Sequence, residues 1–443
     1  VEVDIDPRHR RVIIRDDGVG IPSNDIGNRL INIGMSNKNL QSSAGFRGIG
    51  RLAGIAYCDK LRFRTSSINE ETTSIVEIDC KRLRALTSPQ MREIKELAEV
   101  ISSCTSIENE PAEKSQHFFE VILDHIIPDA DQFLKWDSLE NYLCQVAPVD
   151  YDSQSFLPAP KIKNWIIANK VQLPVITLVL KAPEIERQIF KPFRCNYHTQ
   201  HVRGGNFPFR VKDVNFFPEN ISHDAPFWLW YGQTDLLGTI DDERVAGLRF
   251  RVKNISIGGP ERVAEIFGIK TQTNYRFNAW YLGEIHILSN SIIPNARRDG
   301  FEDNPEWARV KKEIQELVDN LSNTIRQQSQ ERNRPAQVAI RNARKVLSDA
   351  NERIARGLLS EQQKHDLIER LNTEVVKTEA AAQSKKDTPD EQVLVEIRDQ
   401  LEDTLTTLTS TSSYMDKKLP SNLDRKQRKI IMQIINVLQK ALD

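Results

Sequence analysis

Residues 11–20 read Arg11-Val12-Ile13-Ile14-Arg15-Asp16-Asp17-Gly18-Val19-Gly20, an apolar run closed by the Asp-Asp-Gly-Val-Gly that decides the fold. VEVDI and RVIIR flank the polar turn Asp6-Pro7-Arg8-His9-Arg10, which predicts a β-hairpin running straight into the glycines. A carboxylate at a strand end is held rigidly, and glycines beside it let a flat ring approach the backbone. Such a carboxylate can accept from an exocyclic amine while an ordered water meets a ring nitrogen, so adenine suits the turn. Alone the signal is weak, because Asp-Gly turns also occur in hairpins and calcium loops.

Working outward, Ile26, Leu30, Ile31 and Ile33 are spaced for a helix over residues 24–33, followed by the polar loop MSNKNLQSSAGFRGIG. Gly45-Phe46-Arg47-Gly48-Ile49-Gly50 ends that loop and opens a second predicted helix over residues 51–56. Unpaired N–H groups at a helix start suit phosphate oxygens, and Arg47 and Arg51 add positive charge. The strand and the downstream acidic residue of a dinucleotide site are missing, as is the Gly-Lys-Ser/Thr ending of a phosphate-loop kinase.

DDGVGIP, INIGMSNK and GFRGIG in this order resemble the GHKL superfamily: gyrase, the ninety-kilodalton heat-shock chaperones, histidine kinases, MutL and the MORC proteins. The resemblance implies a Bergerat-type α/β sandwich that binds ATP with magnesium. It makes Asp16 the adenine carboxylate, with Gly18, Gly20 and Ile21 in its turn. It places Ser36 and Lys38 on a lid, and Gly45, Phe46, Arg47, Gly48, Ile49 and Gly50 on the phosphate-facing loop. Relatives carry a general-base Glu and a magnesium-holding Asn on a helix ahead of the hairpin. Neither can be located here, and since Val1 already lies on a predicted strand we expect them in sequence preceding it. The Gly-Thr that usually leads the last pocket strand is also absent, with Ser115-Gln116-His117 in that region.

At 443 residues the chain is too long for one core. Its 39% hydrophobic and 28% charged residues fit a folded globular protein. No apolar stretch is long enough for a membrane span or a signal peptide, so a cytoplasmic protein without membrane attachment is expected. With 61 basic against 62 acidic residues, any binding to DNA must rest on a local patch rather than net charge. Cys58, Cys80, Cys104, Cys144 and Cys195 form no Cys-x-x-Cys pair and read as reduced core thiols. Cys195, His198 and His201 lack a second ligand pair at a zinc spacing, so no metal is assigned to them.

The expected division is an ATP-binding domain over residues 1–157, a second α/β, transducer-like domain over 158–306, and an all-helical, coiled-coil-like region over 307–443. Strand-like runs at VITLVL, FWLWYG, LRFRVKNISI and WYLGEIHIL define the middle part; few glycines and abundant Glu, Gln, Lys, Leu and Ala define the last. In GEIHILSNSIIPNARRDGFED, Asn295, Arg298 and Asp299 resemble the arginine loop of the chaperone middle domain, which sends a cation to the γ-phosphate. Arg298 is the lead, Arg297 the reserve, and Lys270 a looser match to the gyrase lysine loop; a solvated Arg-Arg pair is the plain alternative.

The resulting expectation is an ATP-driven clamp whose lid closes on nucleotide and whose protomers pair as a homodimer around a protein client or partner. The alternatives are a GHKL ATPase of DNA metabolism or bacterial defence, and a scaffold that binds nucleotide without hydrolysis.

Overall fold

The computed structural model describes residues 1–31, 50–88, 96–200, 208–222, 224–333, 336–356, 361–385, 389–410 and 431. They fall into two compact units, Val1–Val318 and Asp319–Asp443.

The predicted hairpin forms: β1 (Glu2–Asp6) and β2 (Arg11–Asp16) pair antiparallel, Ile5 opposite Val12. They join β3 (Cys58–Ser66), β4 (Thr72–Asp79), β5 (Thr105–Pro111), β6 (Phe118–Ile126), β7 (Leu178–Ala182) and β8 (Ile185–Ile189). The eight strands lie in the order β5-β4-β3-β6-β2-β1-β7-β8. β1 and β7 run parallel, so the sheet is mixed. β5 has no alternating apolar pattern in the sequence; as an edge strand it needs only backbone pairing to β4.

Alternation along the strands sorts the two faces. Val3, Ile5, Val12, Leu61, Phe63, Val76 and Ile78 are buried with side chains of α1 (Cys80–Leu86), α2 (Leu97–Ser103) and α3 (Trp136–Val146). The other face carries cross-strand ion pairs, among them Arg11–Asp124 at 3.0 Å, Arg64–Glu120 at 3.0 Å and Arg62–Glu77 at 2.6 Å. Asp79 caps α1 by accepting from the Arg82 N–H.

Neither predicted helix forms as a regular α-helix in its described residues. The first gives a 3-10 turn, Ser23–Asp25, and a π turn, Gly27–Ile31, in a stretch that buries Ile26 and Leu30, while Ile33 lies outside the described residues. The helix after the glycine loop is a 3-10 turn, Gly50–Ala56. Within it Gly54 sits so close to Leu61 that a Cβ would lie 2.9 Å from its Cδ1.

A second sheet holds β11 (Asp213–Phe217), β12 (Phe227–Gln233), β13 (Gly247–Val252), β14 (Ile255–Ile257) and β15 (Leu282–Ile287), in the order β11-β12-β15-β13-β14. β9 (Asn196–His198) and β10 (Pro208–Arg210) form a separate ribbon. α4 (Ala159–Ala168) brings Trp165 onto Trp228, ring centroids 4.7 Å apart, and Trp230 packs edge-on to Phe193 at 4.9 Å. The Phe-Trp-Leu-Trp run is therefore strand core. α5 (Glu261–Gly268) buries Val263, Ile266 and Phe267.

From Pro305 onward the described residues are helical, as composition predicted. α6 (Pro305–Asn333) starts with Trp307 against Phe250 and Phe301. α7 (Ala336–Arg356), α8 (Glu361–Ser384) and α9 (Pro389–Ser410) bury Ala343, Leu371, Leu394 and Leu401 among themselves. Pro389 opens α9, a first-turn position where the missing proline N–H costs no helix hydrogen bond; Pro335 and Pro420 lie outside the described residues. Among the described residues no helix is long and apolar enough to cross a membrane.

Candidate functional site

β2 ends on Asp16, and the chain turns at once because Asp16 Oδ1 accepts the Gly18 N–H at 2.9 Å. This Asx turn engages one carboxylate oxygen, and among the described residues no further donor meets the Asp16 carboxylate. A Cβ at Gly18 would stand 2.6 Å from Asp16 Oδ1, so a side chain there would displace the carboxylate. Gly20 has φ of +71°, and a Cβ on it would fall 1.9 Å from the Ser66 carbonyl oxygen. Only glycine fits where the turn presses on the end of β3.

Side chains from distant parts of the sequence hold this turn. Thr65 Oγ1 accepts the Ile21 N–H at 2.9 Å and donates to the Phe118 carbonyl at 2.9 Å, so one buried hydroxyl joins the turn, β3 and β6. His117 Nδ1 lies 2.9 Å from the Gly18 carbonyl. The Ser23 N–H donates to Glu70 Oε2 at 3.0 Å. Asp16, Gly18, Gly20 and Ile21 are thus brought into one pinned turn at the end of β2, where Val19 is 74% exposed. Thr65 and Glu70 were not singled out in the sequence. The only signal was for Thr65, which closes the strand-like run KLRFRT; Glu70 carried none.

Gly50 opens the 3-10 turn that precedes β3. Ser36, Lys38, Gly45, Phe46, Arg47, Gly48 and Ile49 lie outside the described residues.

The family whose model describes histidine kinase-, DNA gyrase B- and HSP90-like ATPases matches residues 1–110. Residues 1–110 belong to the GHKL superfamily. Comparison with curated proteins gives no significant match. The matched GHKL segment stops inside β5, yet β6 pairs with both β2 and β3, so the sheet that carries the GHKL turn continues past it. A domain of this superfamily is of an ATP-binding type, and the donor and acceptor set of the turn fits: a carboxylate oxygen for an amine, beside backbone stripped of side chains. Among the described residues we assign no magnesium ligand.

The arginines predicted to sense phosphate sit on the second sheet's periphery. Arg297 and Arg298 are exposed on a loop closed by the bridge between Pro294 and Phe301. Asn295 Nδ2 donates to Asp299 Oδ1 at 2.6 Å, and the Arg298 N–H donates to the Asn295 carbonyl at 3.1 Å. Arg298 has φ of +57°, and its carbonyl accepts the Gly258 N–H at 2.8 Å. A Cβ on Gly258 would lie 2.8 Å from the Asp299 carbonyl oxygen, so the loop is seated directly on backbone. Lys270 follows α5 and is exposed. Of the imagined metal ligands, Cys195 is buried and its sulfur accepts the Leu157 N–H at 3.2 Å, His198 lies on β9, and His201 is outside the described residues. All five cysteines are buried free thiols.

Proposed function

We propose that this chain is the nucleotide-binding and responding part of an ATP-operated molecular clamp. The observation that carries the reading is the Asp16 turn: a carboxylate with one oxygen spent on the Gly18 N–H, flanked by a glycine whose missing side chain lets the chain press on Ser66. The chain's own residues orient the carboxylate and clear its surroundings, and bound ATP would supply the phosphoanhydride whose cleavage does work. Hydrolysis would further require a general base and a magnesium ligand, neither of which we assign among the described residues.

In this reading residues 1–157 bind nucleotide and residues 158–306 report it, with Arg298 as the cation that meets the γ-phosphate and Arg297 in reserve. The pinned seat of the loop on Gly258 supports the role, since a sensor must hold its charge in place before the phosphate arrives. Residues 307–443, helical in their described parts, would pair two protomers or engage a protein partner.

Titration calorimetry with ATP tests the site. Asp16→Asn puts an amide where the carboxylate stands and should weaken binding about 10- to 100-fold, the loss of one charge-assisted hydrogen bond. Equal affinity in both proteins would remove Asp16 from the site.

A further inference from the structure

The geometry points to His117 as a positioning residue for the Asp16 turn, acting through the Gly18 carbonyl; this rests on reading that turn as the nucleotide site. His117 comes directly before β6, where the resemblance leads one to look for Gly-Thr, and its ring crosses to a residue 99 positions earlier. A carbonyl oxygen only accepts, so Nδ1 is the nitrogen that carries the proton. Gly18 is then held at both polar groups: Asp16 Oδ1 takes its N–H at 2.9 Å, and His117 takes its carbonyl at 2.9 Å.

The other ties act elsewhere. Thr65 holds Ile21, three residues further on, and Glu70 holds Ser23 at the far end. Val19 is exposed and lends no packing to the centre of the turn. The peptide groups around Gly18 are free to rotate in a residue without a side chain, so their orientation depends on these two hydrogen bonds. Because the Gly18 N–H is bound to the Asp16 carboxylate, rotating that residue would swing the carboxylate with it. His117 therefore fixes the direction in which Asp16 presents its second oxygen.

The test compares His117→Ala with His117→Asn, whose amide N–H sits at the same remove from the backbone as Nδ1. Three readouts are taken on the full chain: ATP affinity by calorimetry, amide hydrogen exchange of residues 18–21 without nucleotide, and thermal midpoint. His117→Ala should lower ATP affinity about tenfold and speed exchange in the turn about tenfold at an unchanged midpoint, the loss of one hydrogen bond. His117→Asn should restore both. The inference is overturned if His117→Ala leaves exchange and affinity at wild-type values, or if His117→Asn is as defective as the alanine variant. If the wild-type chain takes up no ATP while His117→Ala still loosens the turn, the nucleotide reading is what fails and the His117 tie stands.

Discussion

Lys191 Nζ lies 2.7 Å from Glu284 Oε2, and neither side chain has any exposed surface. Arg251 Nε also donates to Glu284, His286 Nε2 stands 3.2 Å from it, and Lys191 reaches Asn254 Oδ1 at 2.7 Å. Arg251 further donates to the Gln145 carbonyl at the end of α3, and Asn254 to that of Pro174 ahead of β7. The cluster thus stitches the second sheet to segments that frame the first. Burial alone would raise the Glu284 pKa, but the Arg251 and Lys191 charges hold it well below the usual range.

Glu284 is the carboxylate that both cations share, so its removal strands two buried charges. Glu284→Gln should cost about 3–5 kcal/mol in urea denaturation. Lys191→Met leaves Arg251 paired with Glu284 and should cost at least ~2 kcal/mol less. Equal losses from the two variants would mean that Lys191 is not the surplus cation.

The same cluster sets a pH dependence. Burial, and then repulsion from Arg251, push the Lys191 pKa down to about 7, below its unfolded value of roughly 10.4. Between those values the unfolded chain holds a proton that the folded one has released, so this group makes stability rise with pH from about 7 and level off near 10.4. Burial likewise lowers His286 to about 4, so its contribution is lost as pH falls from about 6.5 and levels off near 4. Denaturant midpoints measured across pH should show both slopes, and Lys191→Met should flatten the alkaline one alone.

The Asp16 turn should tolerate neither a methyl group at Gly20 nor the loss of the Thr65 hydroxyl. Gly20→Ala adds a Cβ against the Ser66 carbonyl at a left-handed φ, which calls for backbone movement. Thr65→Val keeps the shape but orphans the Ile21 N–H and the Phe118 carbonyl, a loss of about 1–3 kcal/mol. Thr65→Ser retains the oxygen and should recover most of it. Thermal and urea unfolding of the three variants checks the order.

For the proposed phosphate sensor, Arg298→Ala should leave ATP affinity nearly unchanged and lower ATP turnover about 10²-fold or more. Gly258→Ala, which forces the loop off its seat without touching either arginine, should reproduce the turnover defect in part. Steady-state kinetics beside calorimetry separates the two effects. Unaltered turnover in Arg298→Ala would return the Arg-Arg pair to an ordinary solvated surface.

Local chemistry made much of this protein readable before any fold was in view. The hairpin, the Asp16 turn with its glycines and the helical character after Pro305 follow from propensity and spacing, which act between near neighbours. Tertiary structure decided the rest. Leu282-Gly283-Glu284-Ile285-His286-Ile287 alternates as a half-exposed strand would, yet every residue of it is buried, because Lys191 and Tyr151 cover the polar side. β7 lies beside β1 with Val179 opposite Glu2, a pairing that no local pattern encodes. Thr65 and His117 reach the turn from 44 and 99 residues away, distances over which sequence spacing carries no geometry. The sequence alone determined that a carboxylate would stand beside glycines after β2; the packing of β3 and β6 determined which side chains hold it there.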